Sequence, residues 1–177
     1  GKMETDEIFS APDFTRCVEF HGHICPGLAV GYKAAKVGMA WLQENRAEDE
    51  ELVAIVEMDA CGADAIQVLT GCTFGKGNFI YKDHGKNVYT LVGRKSGRGV
   101  RVALKPGVME LTERHRQLIE KLRENKATED ERKEFRGLHR QKSGDILEKS
   151  PEELFSIQTV NPQIPPKARM EPSRLCS

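Results

Sequence analysis

Between Pro26 and Asn45 the apolar residues Leu28, Tyr32, Ala35, Met39 and Leu42 recur at alternating steps of four and three. That spacing marks one face of a long helix, and any fold for this chain must be arranged around it. Pro26 suits the first helical turn, since it has no N–H to leave unbonded and its φ is preset. Gly31, Ala34, Ala35 and Gly38 thin the helix on one side. The thin side permits close packing on a sheet or close contact with another helix, which could come from a second copy of the chain.

Other segments read less strongly. Asp6 to Phe20 has helical spacing through Ile8, Phe9, Phe14, Cys17 and Val18, with Pro12 making the entry irregular. Leu52 to Met58 is an apolar run broken only by Glu57 and predicts a buried strand. Cys61 to Thr70 predicts a short buried helix, and Gly71 to Gly77 a glycine-rich loop. Asn78 to Tyr81, Asn87 to Val92 and Val100 to Leu104 are strand candidates. Turn chemistry at Asp83-His84-Gly85 and Ser96-Gly97 predicts that they form an antiparallel meander.

After Pro106-Gly107 the character changes. Leu111, His115, Leu118 and Leu122 mark an amphipathic helix, and Thr128 to Glu131 has capping-box spacing for a second one. Ser150 to Glu153 repeats that start signal. These helices have too few apolar positions to form a core alone, so they must pack on the main domain, on a partner or on each other. The expected class is α+β, a mostly antiparallel sheet packed against a long helix. Residues 1–107 are the core, 108–155 a charged helical appendage and 156–177 an extended tail.

The chain has 177 residues, enough for one domain with a core. Charged residues make up 31%, and the formal net charge of zero argues against nucleic acid as a partner. No apolar run reaches the length of a membrane span. Gly1 to Glu7 lacks the basic start and apolar run of a signal peptide. With an odd number of cysteines, five, this predicts reduced thiols and a cytoplasmic location.

The chemistry concentrates in three places. Phe20-His21-Gly22-His23-Ile24-Cys25-Pro26-Gly27 puts two imidazoles and a thiol just before the long helix. Neutral imidazole and thiolate are the ligands preferred by zinc and similar divalent transition metals. A thiolate at a helix start is also stabilised by the helix dipole, which favours an acidic Cys25. Cys61 and Cys72 frame the short helix, and both reach one metal only if the loop carrying Cys72 folds back. Cys17 on an apolar stripe reads as a small buried hydrophobe. Asp64, three residues after Cys61, could orient a ligand histidine or act as a base toward a metal-bound water. Thr73, Lys76 and Asn78 in the glycine-rich loop are candidates for holding a small anion, although the loop lacks the phosphate-loop spacing. His84, His115 and His139 are expected to be solvated and receive no role.

Together, His21-Gly22-His23-x-Cys25-Pro26-Gly27, Cys61-x-x-Asp64-Ala65-Ile66-Gln67 and Thr70-Gly71-Cys72-Thr73-x-Gly75-Lys76-Gly77-Asn78 resemble the FmdE family, named after the E-type component of formylmethanofuran dehydrogenase. The resemblance spans roughly residues 14 to 105. It implies an α+β core that binds a metal, most simply zinc, and a homodimer. Many family members look as though they continue into a zinc ribbon with paired C-x-x-C motifs, which this sequence lacks.

The expected ligands are His21, His23, Cys61 and Cys72, with Cys25 in reserve. Four bound ligands would make the centre closed and structural, and three would leave a position for water or substrate. The expected function is an accessory or small-molecule-binding role near molybdenum or tungsten redox metabolism, with a redox enzyme as a possible partner. One alternative is a metal-dependent hydrolase with an open centre. Another is a non-catalytic protein that docks through its charged helices.

Overall fold

The computed structural model describes residues 7, 9–45, 50–58 and 61–166. Asp6, Ile8, Ala60, Cys176 and the tail from 167 onward lie outside the described residues. In chain order the elements are α1 (Pro12–His21), α2 (Pro26–Asn45), β1 (Leu52–Val56), α3 (Cys61–Thr70), β2 (Phe79–Tyr81), β3 (Val88–Gly93), β4 (Gly99–Leu104), α4 (Glu113–Arg123), α5 (Glu129–Glu148), α6 (Pro151–Leu154) and β5 (Phe155–Val160).

The fold is α+β, with a sheet in the order β2-β1-β3-β4-β5. β1/β3, β3/β4 and β4/β5 pair antiparallel, while β1/β2 is parallel. The sequence suggests one meander of β2, β3 and β4, and the structure departs from it. α3 serves as the crossover that a parallel pair requires, and it delivers β2 to the far side of β1. β3 then takes the other edge of β1. β5 is a second departure, because residues 156 onward read as an extended tail. The strand closes the sheet against β4, with Val102 opposite Ile157 and Leu104 opposite Phe155.

α2 lies across the sheet and also touches α3 and α5. Its predicted stripe is the buried one: Leu28, Ala35 and Leu42 are essentially inaccessible, and Tyr32 nearly so. Each such leucine contributes about 1.5–3 kcal/mol of burial. The small residues serve two close approaches within the same chain. A Cβ on Gly31 would overlap the Gly62 backbone of α3, and one on Gly38 would overlap Leu91 of β3.

The appendage begins at α4, where Thr112 Oγ1 accepts the His115 N–H. α5 opens with the expected capping box between Thr128 and Glu131, and α6 with one between Ser150 and Glu153. α4 packs on α5, and the C-terminal half of α5 packs on α2, burying Ile146 and Leu147. Lys33 Nζ of α2 donates to Leu147 O at 3.2 Å, which ties the two helices. The appendage therefore rests on the main domain. Among the described residues, no helix is long and apolar enough to cross a membrane.

Candidate metal centre

α1 ends at His21 because Gly22 adopts φ 107°, a left-handed cap conformation, and donates its N–H to Val18 O at 2.7 Å. The chain turns there and re-enters a helix at Pro26. His21, His23 and Cys25 thus sit on a tight connection between two helices. Cys61 begins α3, whose first turns pack against α2 where Gly31 meets Gly62. Two helix starts, those of α2 and α3, therefore bring a cysteine each to the end of α1. Partial positive charge at helix N-termini favours thiolates.

The four side chains converge. One ligand atom each from His21, His23, Cys25 and Cys61 lies within 4.8 Å of the others. Cys25 Sγ stands 3.7 Å from His21 Nε2, and the two imidazole rings lie 4.5 Å apart between centroids. Donors about 2.0–2.3 Å from a tetrahedral ion stand roughly 3.3–3.8 Å apart. The donor set and its spacing therefore fit a four-coordinate ion of the zinc type. Cys25 is buried and His21 and Cys61 are half-buried, while His23 is exposed.

Asp64, one turn along α3 from Cys61, takes the other side of His21. His21 Nδ1 and Asp64 Oδ2 are 2.7 Å apart. Nδ1–H donating to the carboxylate leaves the Nε2 lone pair toward the sulfurs. Burial works against a charged His21, but Asp64 and Cys61 overcome it and raise its pKa above the ordinary value. The hydrogen bond from the Cys25 thiol, with help from the imidazoles, holds the Cys61 thiol below its usual range in spite of desolvation. Cys25 is pushed up, because it keeps the proton that Cys61 accepts.

Cys72 stands outside this cluster. α3 is ten residues long, about 15 Å, and Cys72 follows its far end. There its Sγ donates to Leu52 O at 3.4 Å, and the side chain is fully buried. Thr73, Lys76 and Asn78 brace their own loop. The Thr73 N–H donates to Asn78 Oδ1 at 2.8 Å, the Lys76 N–H to Thr73 Oγ1 at 3.2 Å, and Lys76 Nζ to Gly71 O at 2.7 Å.

Two histidines expected to be solvated are not. His115 is buried, and its Nε2 lies 2.8 Å from His139 Nδ1, with Phe135 against both rings. Burial, then His115, then His23 depress the His139 pKa to about 4. α5 therefore carries an imidazole into electrostatic range of the centre. The sequence holds no signal for this pair, because the two residues sit on different helices of a hairpin. His84 is exposed, with its Nδ1 2.8 Å from Glu57 Oε1.

Residues 20–156 match the family model described as FmdE, molybdenum formylmethanofuran dehydrogenase operon. The chain is 46% identical over 91 residues to a probable S-adenosyl-L-methionine-binding protein of Archaeoglobus fulgidus. That match covers 49% of this chain but only 25% of the relative, so the chain spans about a quarter of its length. The fold is shared with an FmdE-like protein of the tungsten formylmethanofuran dehydrogenase type from Syntrophus aciditrophicus. There the TM-score is 0.54 and the identity 24%, over 90% of this chain and 73% of the other.

Proposed function

This chain belongs to the FmdE family, and from that premise we propose that it is a zinc-type metal-binding protein using His21, His23, Cys25 and Cys61. The observation that carries this reading is the convergence of four ligand atoms within 4.8 Å. The bound ion would cross-link two backbone segments, 21–25 and the start of α3 at Cys61, and, where a position opens, supply Lewis acidity. Asp64 orients His21 and raises its basicity as a ligand. In this reading the protein acts in the cytoplasm as a homodimer, in an accessory role beside a molybdenum or tungsten redox enzyme. Light scattering of the purified protein checks the dimer. S-adenosylmethionine binding is named for a relative that this chain matches over a quarter of its length, and the metal centre does not require it.

The exposure of His23 supports a second reading. If His23 yields its place to water or a substrate, the centre is open and hydrolase-type chemistry becomes available. Asp64, already hydrogen-bonded to His21, is then a positioning residue.

The test is metal content per chain in the reduced protein. The proposal expects about one ion in the wild type and well under half of that in His21→Ala and Cys61→Ser. Full metal in both variants would overturn it.

A further inference from the structure

His21 and Asp64 also form one wall of a cleft of about 410 Å³. That volume lies in the lower part of the range for small-molecule sites, roughly 300–1,000 Å³. The cleft runs between α3, the loop that follows it and the edge strand β2. Its other wall is aromatic. Phe74 is 65% exposed, the largest exposure among the described bulky apolar side chains. Its ring meets Phe79 at 4.9 Å and 62°, an edge contact that leaves a Phe74 face open. Tyr81, also exposed, lines the same wall. Large apolar side chains gathered at a cleft, rather than scattered, mark a binding surface.

The polar groups are few and sit on one face of α3. The Asp64 side chain is 32% exposed, and one of its oxygens is bonded to His21. Three residues on, the Gln67 amide makes no side-chain hydrogen bond with any described residue. A carboxylate accepts N–H donors, and an amide both donates and accepts. The carboxylate disfavours an anion, and the nearby Lys76 ammonium is spent on Gly71 O.

We propose that this cleft binds a planar aromatic ring with an N–H edge, its face against Phe74 and its edge on Asp64 and Gln67. The proposal deepens the metal-centre reading, on which it rests, by naming the class of ligand that the His21 side of the centre faces. The remaining wall, Met58 and Ala63, supplies methyl groups that report occupancy directly.

The experiment titrates zinc-loaded and metal-free protein with 2-aminobenzimidazole, a flat ring carrying a cyclic guanidine edge. Cyclohexylguanidine, which has the edge without the aromatic face, is the control. Methyl NMR signals of Met58 and Ala63 are followed, and metal content is measured on the same samples. The flat probe is expected to shift both signals, and the control to leave them in place. Phe74→Ala should weaken the flat probe roughly tenfold, as loss of a stacking face does. Gln67→Leu should weaken it as well, and neither variant should lose metal. Phe74 is exposed, so its removal does not threaten the fold. No shift at Met58 and Ala63, equal binding of both probes, or undiminished binding in the two variants would overturn the proposal even with metal fully bound. Absent metal with intact probe binding would instead sink the metal reading and leave the cleft standing.

Discussion

His21 Nδ1 and Asp64 Oδ2 lie 2.7 Å apart, while His21 Nε2 lies 3.7 Å from Cys25 Sγ. One imidazole thus spans a carboxylate and a thiol, and the carboxylate decides which nitrogen keeps the proton. Asp64→Ala removes that decision without touching a proposed ligand. Metal affinity should fall about 10–100-fold, the usual cost of losing such a partner, as read by competition with a chromophoric chelator. Unchanged affinity would mean that Asp64 does not position His21.

Cys25 and Cys72 separate two ligand sets. Cys25→Ser should strip most of the metal, because its sulfur belongs to the converged group. Cys72→Ser should keep a full complement, because Cys72 Sγ donates to Leu52 O at the start of β1. The reverse pattern, measured by elemental analysis of the purified variants, would restore the set expected from sequence.

Gly31 controls how closely α2 approaches α3. Gly31→Ala forces a methyl into the Gly62 backbone, which cannot yield as a side chain would. Overpacking of this kind costs about 1–3 kcal/mol. In a chain of this size that lowers Tm by roughly 2–4 °C per kcal/mol. Cys61 adjoins Gly62, so metal affinity should fall in step. A Tm within a degree of the wild type would contradict the close helix contact.

The His115–His139 pair makes stability depend on pH. Burial, with Lys142 nearby, lowers the His115 pKa, and burial, then His115, then His23 bring His139 from 6.5 to about 4. Between these values the unfolded chain binds more protons than the folded one, so stability rises with pH. The contribution is whole above about 6.5 and is lost as pH falls toward about 4. Urea midpoints at pH 7 and pH 5 should differ less in His139→Gln than in wild type. An identical pH dependence would show that the fold does not hold the two imidazoles neutral.

Much of this was legible in the sequence, and the exceptions share a cause. Pro26, the Leu28–Leu42 stripe, and the Thr128 and Ser150 caps are local signals, and each specifies a helix that the structure contains. The motif at His21 to Cys25 was legible because its members are neighbours in sequence. Cys72 depended on whether a loop folds back, and the length of α3 decided that. β2 lies beyond β1 because a crossover helix, not a hairpin turn, connects them. β5 is six residues between a short helix and prolines, too brief for its alternation to stand out. His115 and His139 meet only because α4 and α5 form a hairpin, a tertiary fact that neither helix carries alone.

The proposed centre is mixed, with two sulfur and two imidazole donors. Titrating the reduced, metal-free protein with cobalt(II) and recording its absorption reads that donor set. Saturation is expected at about one ion per chain, with intense tetrahedral d–d bands and thiolate-to-cobalt charge transfer that weakens by roughly half or more in Cys61→Ser, since Cys25 is the second sulfur donor. No uptake, or a spectrum without thiolate bands that Cys61→Ser leaves unaltered, would contradict it.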